Sequence, residues 1–210
     1  HTNPREKNSK SKYPEIIKNM ALIYNEMGET EKALEAMREA RFENPDDLNL
    51  ILTEANVHYS MGNIEKFKSL LEYATTLDSE NPELQYNLGV IAAEANDVEN
   101  AKKYYNRAIE LNPKYVNAYI NLAALILAQE ESIISEMNNL GNSAADDRRY
   151  DLLRAKRKDL YFEAIPYLEQ AIGIDSSNYQ AAKTLSNIYS ATGDDINAKK
   201  YREISDGLAK

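Results

Sequence analysis

A chain of 210 residues, 43% hydrophobic and 28% charged, is long enough for one large folded domain or two small ones. Its formal charge of −9 argues against general binding to nucleic acid or anionic lipid, since phosphate contacts need clustered Lys and Arg. The absence of Cys excludes disulfides, thiol nucleophiles and thiolate metal sites, and no apolar run approaches the roughly 18 residues of a membrane span.

The chain opens "HTNPREKNSKSKYP", without an initiator Met or an apolar signal core, and residues 1–13 are expected to be a polar disordered lead or a cloning remnant of a processed or truncated protein. Gly and Pro are scarce after it, and Ala, Glu, Leu, Lys and Asn dominate, which predicts an all-α chain. From residue 14 a beat of 34 residues sets in. Small residues recur at Ala21, Ala55, Gly89 and Ala123. A second row runs Ala33, Phe67, Ala101, and a third Ala40, Ala74, Ala108. Gly28, Gly62 and Asn96 tolerate the left-handed backbone that ends a helix, and Pro45 and Pro113 stop the second helix of their units. After Ala123 the beat breaks. It resumes at Ala164, Ala171, Ser186, Gly193 and Ala198 once 29 residues between Gln129 and Asp159 are removed.

Each unit reads as helix, tight turn, helix and linker, with small residues where the two helices cross. In the third unit Leu88, Gly89, Ala101, Tyr105, Ala108 and Pro113 resemble the tetratricopeptide-repeat (TPR) family at its own spacing. The resemblance covers five units, about 14–47, 48–81, 82–115, 116–178 and 179–210, with an insertion at about 130–158. It implies an all-α, right-handed superhelical α-α solenoid with two elongated helices in the fourth repeat. Departures occur at the family's aromatic position (Ile17, Ile51, Gln85, Tyr119, Ala182) and most of all in the second unit. There Glu54 takes a normally apolar place, His58 stands where Tyr24 and Tyr189 sit, and Phe67 replaces a small residue, so more splayed or more mobile helices are expected. The last unit has no polar capping helix after it.

Catalysis needs convergent acids, bases or nucleophiles, and none is legible. His1 lies in the lead, and His58 sits at a packing position. The acidic pairs Asp46–Asp47, Asp146–Asp147 and Asp194–Asp195 fall at helix starts, where they cap backbone N–H groups. No phosphate loop or metal motif is present, so no enzyme, metal or cofactor is expected. What the resemblance implies is a non-catalytic scaffold whose first helices line a concave groove for a peptide or partner helix. By register, that groove takes in a polar row, Asn19, Thr53, Asn87, Asn121 and Thr184, able to hold a peptide backbone or the neighbouring repeat. Beside it runs an apolar wall of Leu22, Leu52, Tyr59, Tyr86, Val90, Ile120 and Leu127. Lys183 and Asn187 match half of the family's chaperone-tail clamp, but Lys18 is followed by Leu22 where the clamp wants Asn. Arrays of this kind occur in bacterial cytoplasm and cell envelope alike, the envelope being slightly favoured here.

In the insertion, "LGNSAAD" predicts a helix stop at Gly141 and a capping box from Ser143 to Asp146. Ile126, Ile133, Met137 and Leu140 share one helical face before it, and Tyr150, Leu153, Leu160 and Ala164 one face after it. Both helices of the fourth unit are therefore expected to lengthen into a spike of roughly 20 Å. Arg148, Arg149, Arg154, Lys156, Arg157 and Lys158, against Asp151, give residues 148–158 a charge of +5, so the other 199 residues carry −14. This basic limb could dock an acidic partner or a second copy, or be balanced across the hairpin by Glu130, Glu131 and Glu136. The alternative to the groove reading is thus a self-assembly module using the spike and the C-terminal repeat.

Overall fold

The computed structural model describes residues 13–209. The 1–12 portion of the expected lead lies outside the described residues, and Tyr13 already belongs to a helix. Eleven α-helices and no strand occur among the described residues: α1 (Tyr13–Glu26), α2 (Thr30–Glu43), α3 (Leu48–Ser60), α4 (Ile64–Leu77), α5 (Pro82–Glu94), α6 (Val98–Leu111), α7 (Val116–Leu127), α8 (Glu130–Asn138), α9 (Ala144–Ile174), α10 (Tyr179–Thr192) and α11 (Asp195–Leu208). They form two compact units divided after Ile91, inside α5. In the first, α1 packs on α2, α3 on α4, and α3 also on α1 and α2. In the second, α7 packs on α6 and α9, α8 on α9, and α10 on α9 and α11.

The reversals between paired helices are built alike. Gly28, Gly62, Asn96 and Gly193 have φ of 76°, 74°, 58° and 82°. Each is followed by a residue whose N–H reaches five residues back: Glu29 to Tyr24 O, Asn63 to His58 O, Asp97 to Ala92 O and Asp194 to Tyr189 O, all at 2.8–2.9 Å. The left-handed residue itself donates three residues back, to Asn25, Tyr59, Ala93 and Ser190. This is the Schellman closure, whose left-handed residue costs Gly no Cβ clash and costs Asn less than other residues. Asp47, Asp97, Asn178 and Asp194 then cap the starts of α3, α6, α10 and α11 by accepting from the N–H three residues on.

The small rows sit where the helices cross. Ala21, Ala55, Ala123, Ala33, Ala101 and Ala164 are fully buried. Ser186, in the same row as Ala123, donates its hydroxyl to Ala198 O across the α10–α11 crossing at 3.0 Å. Phe67, which replaces a small residue, is buried and lies 5.0 Å from Tyr59 in a tilted pair. Glu54 finds its partner on the neighbouring helix in Arg41 at 2.5 Å.

In the fourth unit the reversal fails for a readable reason. The residue 34 after Asn96 is Glu130, which cannot take the left-handed place cheaply. Ala128 and Gln129 stay right-handed, and the chain runs on into α8. This corrects the expectation of two elongated helices: only α9, with 31 residues, is long, while the first helix is broken into α7 and α8. The stop is corrected too, since α8 ends at Asn138 and Gly141 has no positive φ. The capping box at Ser143 and Asp146 is formed, and Ile126, Ile133, Leu153 and Leu160 are buried. Tyr150, assigned to that inner face, is instead 46% exposed. On α11, Lys199, Arg202 and Asp206 are exposed and charged, and Ile196 is exposed as well.

Candidate protein-binding surface

The first helix of each pair leaves one strip uncovered, and the strip keeps register. One column is Lys18, Leu52, Tyr86, Ile120 and Lys183. The next, one turn on, is Leu22, Asn56, Val90, Ala124 and Asn187. The third is Asn25, Tyr59, Ala93, Leu127 and Ser190. Every member is half-buried or exposed, whereas the aromatic-position column Ile17, Ile51, Gln85, Tyr119 and Ala182 is buried throughout. Within each unit, then, the first helices leave these positions at most half-buried beside a column that is buried.

In the first unit the strip is apolar in the middle. Leu52, Tyr86 and Val90 are half-buried, and Tyr59 and Leu22 are 48% and 39% exposed. The Phe67 ring under Tyr59 holds that side chain from behind. Asn25 accepts from Ser60 Oγ at 2.6 Å, tying α1 to α3 beside the strip. Asn19 is exposed and Asn87 half-buried. In the second unit Ile120, Asn121 and Leu127 are half-buried on α7, and Lys183 and Asn187 exposed on α10.

The polar row needs one correction. Thr53 is 6% exposed, and its hydroxyl donates to Asn49 O of its own helix at 2.7 Å. A β-branched hydroxyl in a helix is readily satisfied in this way, so Thr53 offers a ligand nothing. Sequence reasoning also passed over Asn56 and Ala124, which stand one turn beyond Leu52 and Ile120 and are exposed.

The basic limb divides into paired and unpaired residues. Arg149 meets Glu136 at 2.5 Å, and Arg157 meets Glu130 at 2.6 Å, joining α9 to α8. Tyr161 donates to the same Glu130 carboxylate, and burial followed by that bond pushes its hydroxyl up to about 12. Those two cations join the helices of the hairpin, as the balancing Glu130 and Glu136 led one to expect, while Arg149 stays about half exposed. Arg148, Arg154, Lys156 and Lys158 have no ion-pair partner among the described residues, and Lys158 lies 5.4 Å over the Phe162 ring.

The remaining polar clusters are structural. Glu169 on α9 accepts from Tyr189 on α10 and Tyr201 on α11 at 3.0 and 2.9 Å, and the two rings stack 5.7 Å apart. His58 is half-buried, and burial lowers its pKa more than Glu54 raises it. Among the described residues no cluster of three or more His, Cys, Asp or Glu could hold a metal ion, and no helix is long and apolar enough to cross a membrane.

Comparison with known proteins agrees with this geometry. Tetratricopeptide-repeat profiles match residues 18–40, 82–115 and 104–151. The human protein O-mannosyl-transferase TMTC3 is 27% identical over 188 residues, 80% of this chain and 19% of its own length. The photosystem I assembly protein Ycf3 of Rippkaea orientalis is 32% identical over 124 residues, 53% of this chain and 63% of its own. The chain thus spans less than two thirds of either relative. Among solved structures, YrrB, described as a TPR protein with an unusual peptide-binding site, superposes with a TM-score of 0.60 at 17% identity, covering 91% of this chain and 84% of that one.

Proposed function

Because the chain belongs to the tetratricopeptide-repeat family, we propose that it is a non-catalytic protein-interaction scaffold that holds a peptide or partner helix on the open strips of its first helices. The observation that carries the reading is the apolar strip of the first unit. Leu52, Tyr86 and Val90 are half-buried and Tyr59 is exposed, beside a column, Ile51 and Gln85, that the fold buries. Large half-exposed aromatic and aliphatic side chains flanked by Asn are the composition of an interface anchor with a polar rim. Asn87 and Asn19 beside them supply donors and acceptors for a ligand backbone.

Two relatives lend support in kind. Ycf3 is named for assembling a protein complex and YrrB for a peptide site, and both share these helix pairs with the chain. TMTC3 is named a transferase, but the likeness covers 19% of its length, so its chemistry is not carried over. The partner is a protein segment, not nucleic acid, since the charge outside residues 148–158 is −14. The test is selection of binders from a random peptide library on the immobilised protein, followed by calorimetry. Selected peptides should lose most affinity on Tyr86→Ala. If no peptide is selected, or binders ignore Tyr86 and Tyr59, the reading fails.

A further inference from the structure

Between α2, α3 and α4 lies an open cleft of about 470 Å³. All its walls come from adjoining helix pairs of the chain, α2 from the first and α3 and α4 from the second. Its most buried lining is ionic: Arg41 pairs with Glu54, and the His58 ring stands 3.9 Å from the same carboxylate. Arg38 of α2 and Lys66 of α4 line it too, both exposed and neither with an ion-pair partner among the described residues. Leu34 and Phe42 of α2 add an apolar wall, and Phe42 is 88% exposed.

The charge in this cleft does not cancel. Three cations, Arg38, Arg41 and Lys66, face the single carboxylate of Glu54, a surplus of two with His58 neutral. Glu39 and Glu43, the nearby carboxylates of α2, line a separate hollow with Arg38 and Phe42. The later junctions answer their own charges at the same register positions. Lys102 of α6 and Glu163 of α9, in register with Leu34 and Lys66, meet at 2.9 Å. Glu169 of α9 and Tyr189 of α10, in register with Arg38 and His58, are hydrogen-bonded at 3.0 Å. An acidic chain that leaves two cations unanswered in one concave place has the charge pattern of an anion site.

We propose that this cleft binds a phosphate monoester, its dianionic head between Arg38 and Lys66 and its organic body against Leu34 and Phe42. A surplus of two charges matches a dianion better than a single carboxylate. The Arg38 guanidinium offers parallel N–H donors to two phosphate oxygens, and the Lys66 ammonium a compact charge. His58 stands beside them as a further donor once protonated. Burial first, and Lys66 with it, lowers its pKa against the raising effect of Glu54, so a neighbouring dianion would restore its proton. The wall of Leu34 and Phe42 does nothing for bare phosphate but shields an aryl or alkyl body from water. The cleft shares no residue with the peptide-binding strip and stands or falls independently of it.

Calorimetric titration with phenyl phosphate at low salt tests it, beside inorganic phosphate, which lacks the apolar body, and benzoate, which lacks the second charge. Phenyl phosphate should bind at one site per chain and more tightly than either. Arg38→Ala with Lys66→Ala should weaken it at least about tenfold, since two charge-assisted contacts are lost. Arg148→Ala with Arg154→Ala removes the same charge from the hairpin and should leave it unchanged. In NMR spectra of the wild type, the imidazole signal that His58→Gln removes should move with phenyl phosphate and titrate at higher pH when it is bound. That readout keeps the test usable if the double variant misfolds. A short neutral peptide bearing phosphotyrosine separates the sources of the group: weaker binding than phenyl phosphate assigns the site to a free molecule, tighter binding to a partner's phosphorylated side chain. No binding of phenyl phosphate, equal binding of benzoate, equal loss in the two double variants, or a His58 signal indifferent to the ligand would overturn the proposal.

Discussion

Arg41 on α2 and Glu54 on α3 meet at 2.5 Å with side chains about one-fifth exposed, in the row where the other first helices place Met20, Leu88, Leu122 and Leu185. An ion pair thus stands at one inter-helix contact where the rest of the row is apolar. Arg41 also donates to Pro45 O at 3.0 Å, yet its buried Nε has no partner. Removing one member of such a pair strands the other, while replacing both with apolar side chains can be neutral or better. Glu54→Ala should therefore cost about 1–2 kcal/mol in urea unfolding, and Arg41→Met with Glu54→Leu should recover it. A double variant less stable than both single ones would show that the pair is not a substitute for apolar packing.

The crossing rows make a second prediction. Gly89 and Ala123 are buried at helix crossings, whereas Ala144 is exposed at the start of α9. Leu at either of the first two should destabilise by about 1–3 kcal/mol through overpacking, and Leu at Ala144 by a few tenths at most. Thermal melts of the three variants check this, and equal melting temperatures would place the crossings elsewhere.

The hairpin of α8 and the first half of α9 is held by its own contacts. Arg149 meets Glu136, and Ile133 and Leu153 are buried within it. Replacing Ser132–Lys156 by a short turn should leave a soluble protein whose helicity falls only by the deleted turns, because the α7–α9 and α9–α10 packing lies outside the cut. Circular dichroism and cooperative melting are the readout. Loss of the whole transition would make the hairpin part of the core.

Tyrosines set the alkaline limit. Burial, and after it the bond to Glu169, pushes Tyr189 up to about 12 and raises Tyr201 as well; Tyr161 is pushed to about 12 by burial and Glu130. A phenol whose pKa is raised on folding stabilises the fold fully below pH 10, and that stabilisation is lost as pH climbs through the folded value. Helicity should hold to about pH 10 and fall cooperatively towards pH 12, with late-titrating phenolate absorbance appearing alongside. Tyr201→Phe should shift the transition. Full ionisation of all tyrosines near pH 10 in a still-folded protein would contradict this.

What was legible in the sequence was whatever the backbone itself demands. Gly28, Gly62, Asn96 and Gly193 could be placed from the beat alone because a left-handed residue is chemically conspicuous. The capping box at Ser143 and the buried alanines followed in the same way. The break after Leu127 was harder to see, since Ala128 and Gln129 are ordinary helix formers in right-handed conformation and only the misplaced Glu130 marks it. The binding strip was legible by register but not by chemistry. Thr53 turned its hydroxyl to its own helix, and Arg149 and Arg157 turned to α8; both choices depend on neighbours that spacing does not reveal.

The central claim is that the open strip of the first unit holds a protein segment through Tyr86 and its neighbours. The most direct measurement is calorimetric titration of a library-selected peptide into the wild type, Tyr86→Ala, Asn87→Ala and the pair Arg148→Glu with Arg149→Glu. The expected result is a loss of about 2 kcal/mol or more for Tyr86→Ala, since truncating a buried aromatic anchor costs most, and about 1 kcal/mol for Asn87→Ala through a lost hydrogen bond. The charge reversals, on the hairpin, should leave the affinity nearly unchanged and weakly salt-dependent. Normal binding by both strip variants together with loss on charge reversal would contradict the claim and make the basic limb the recognition element.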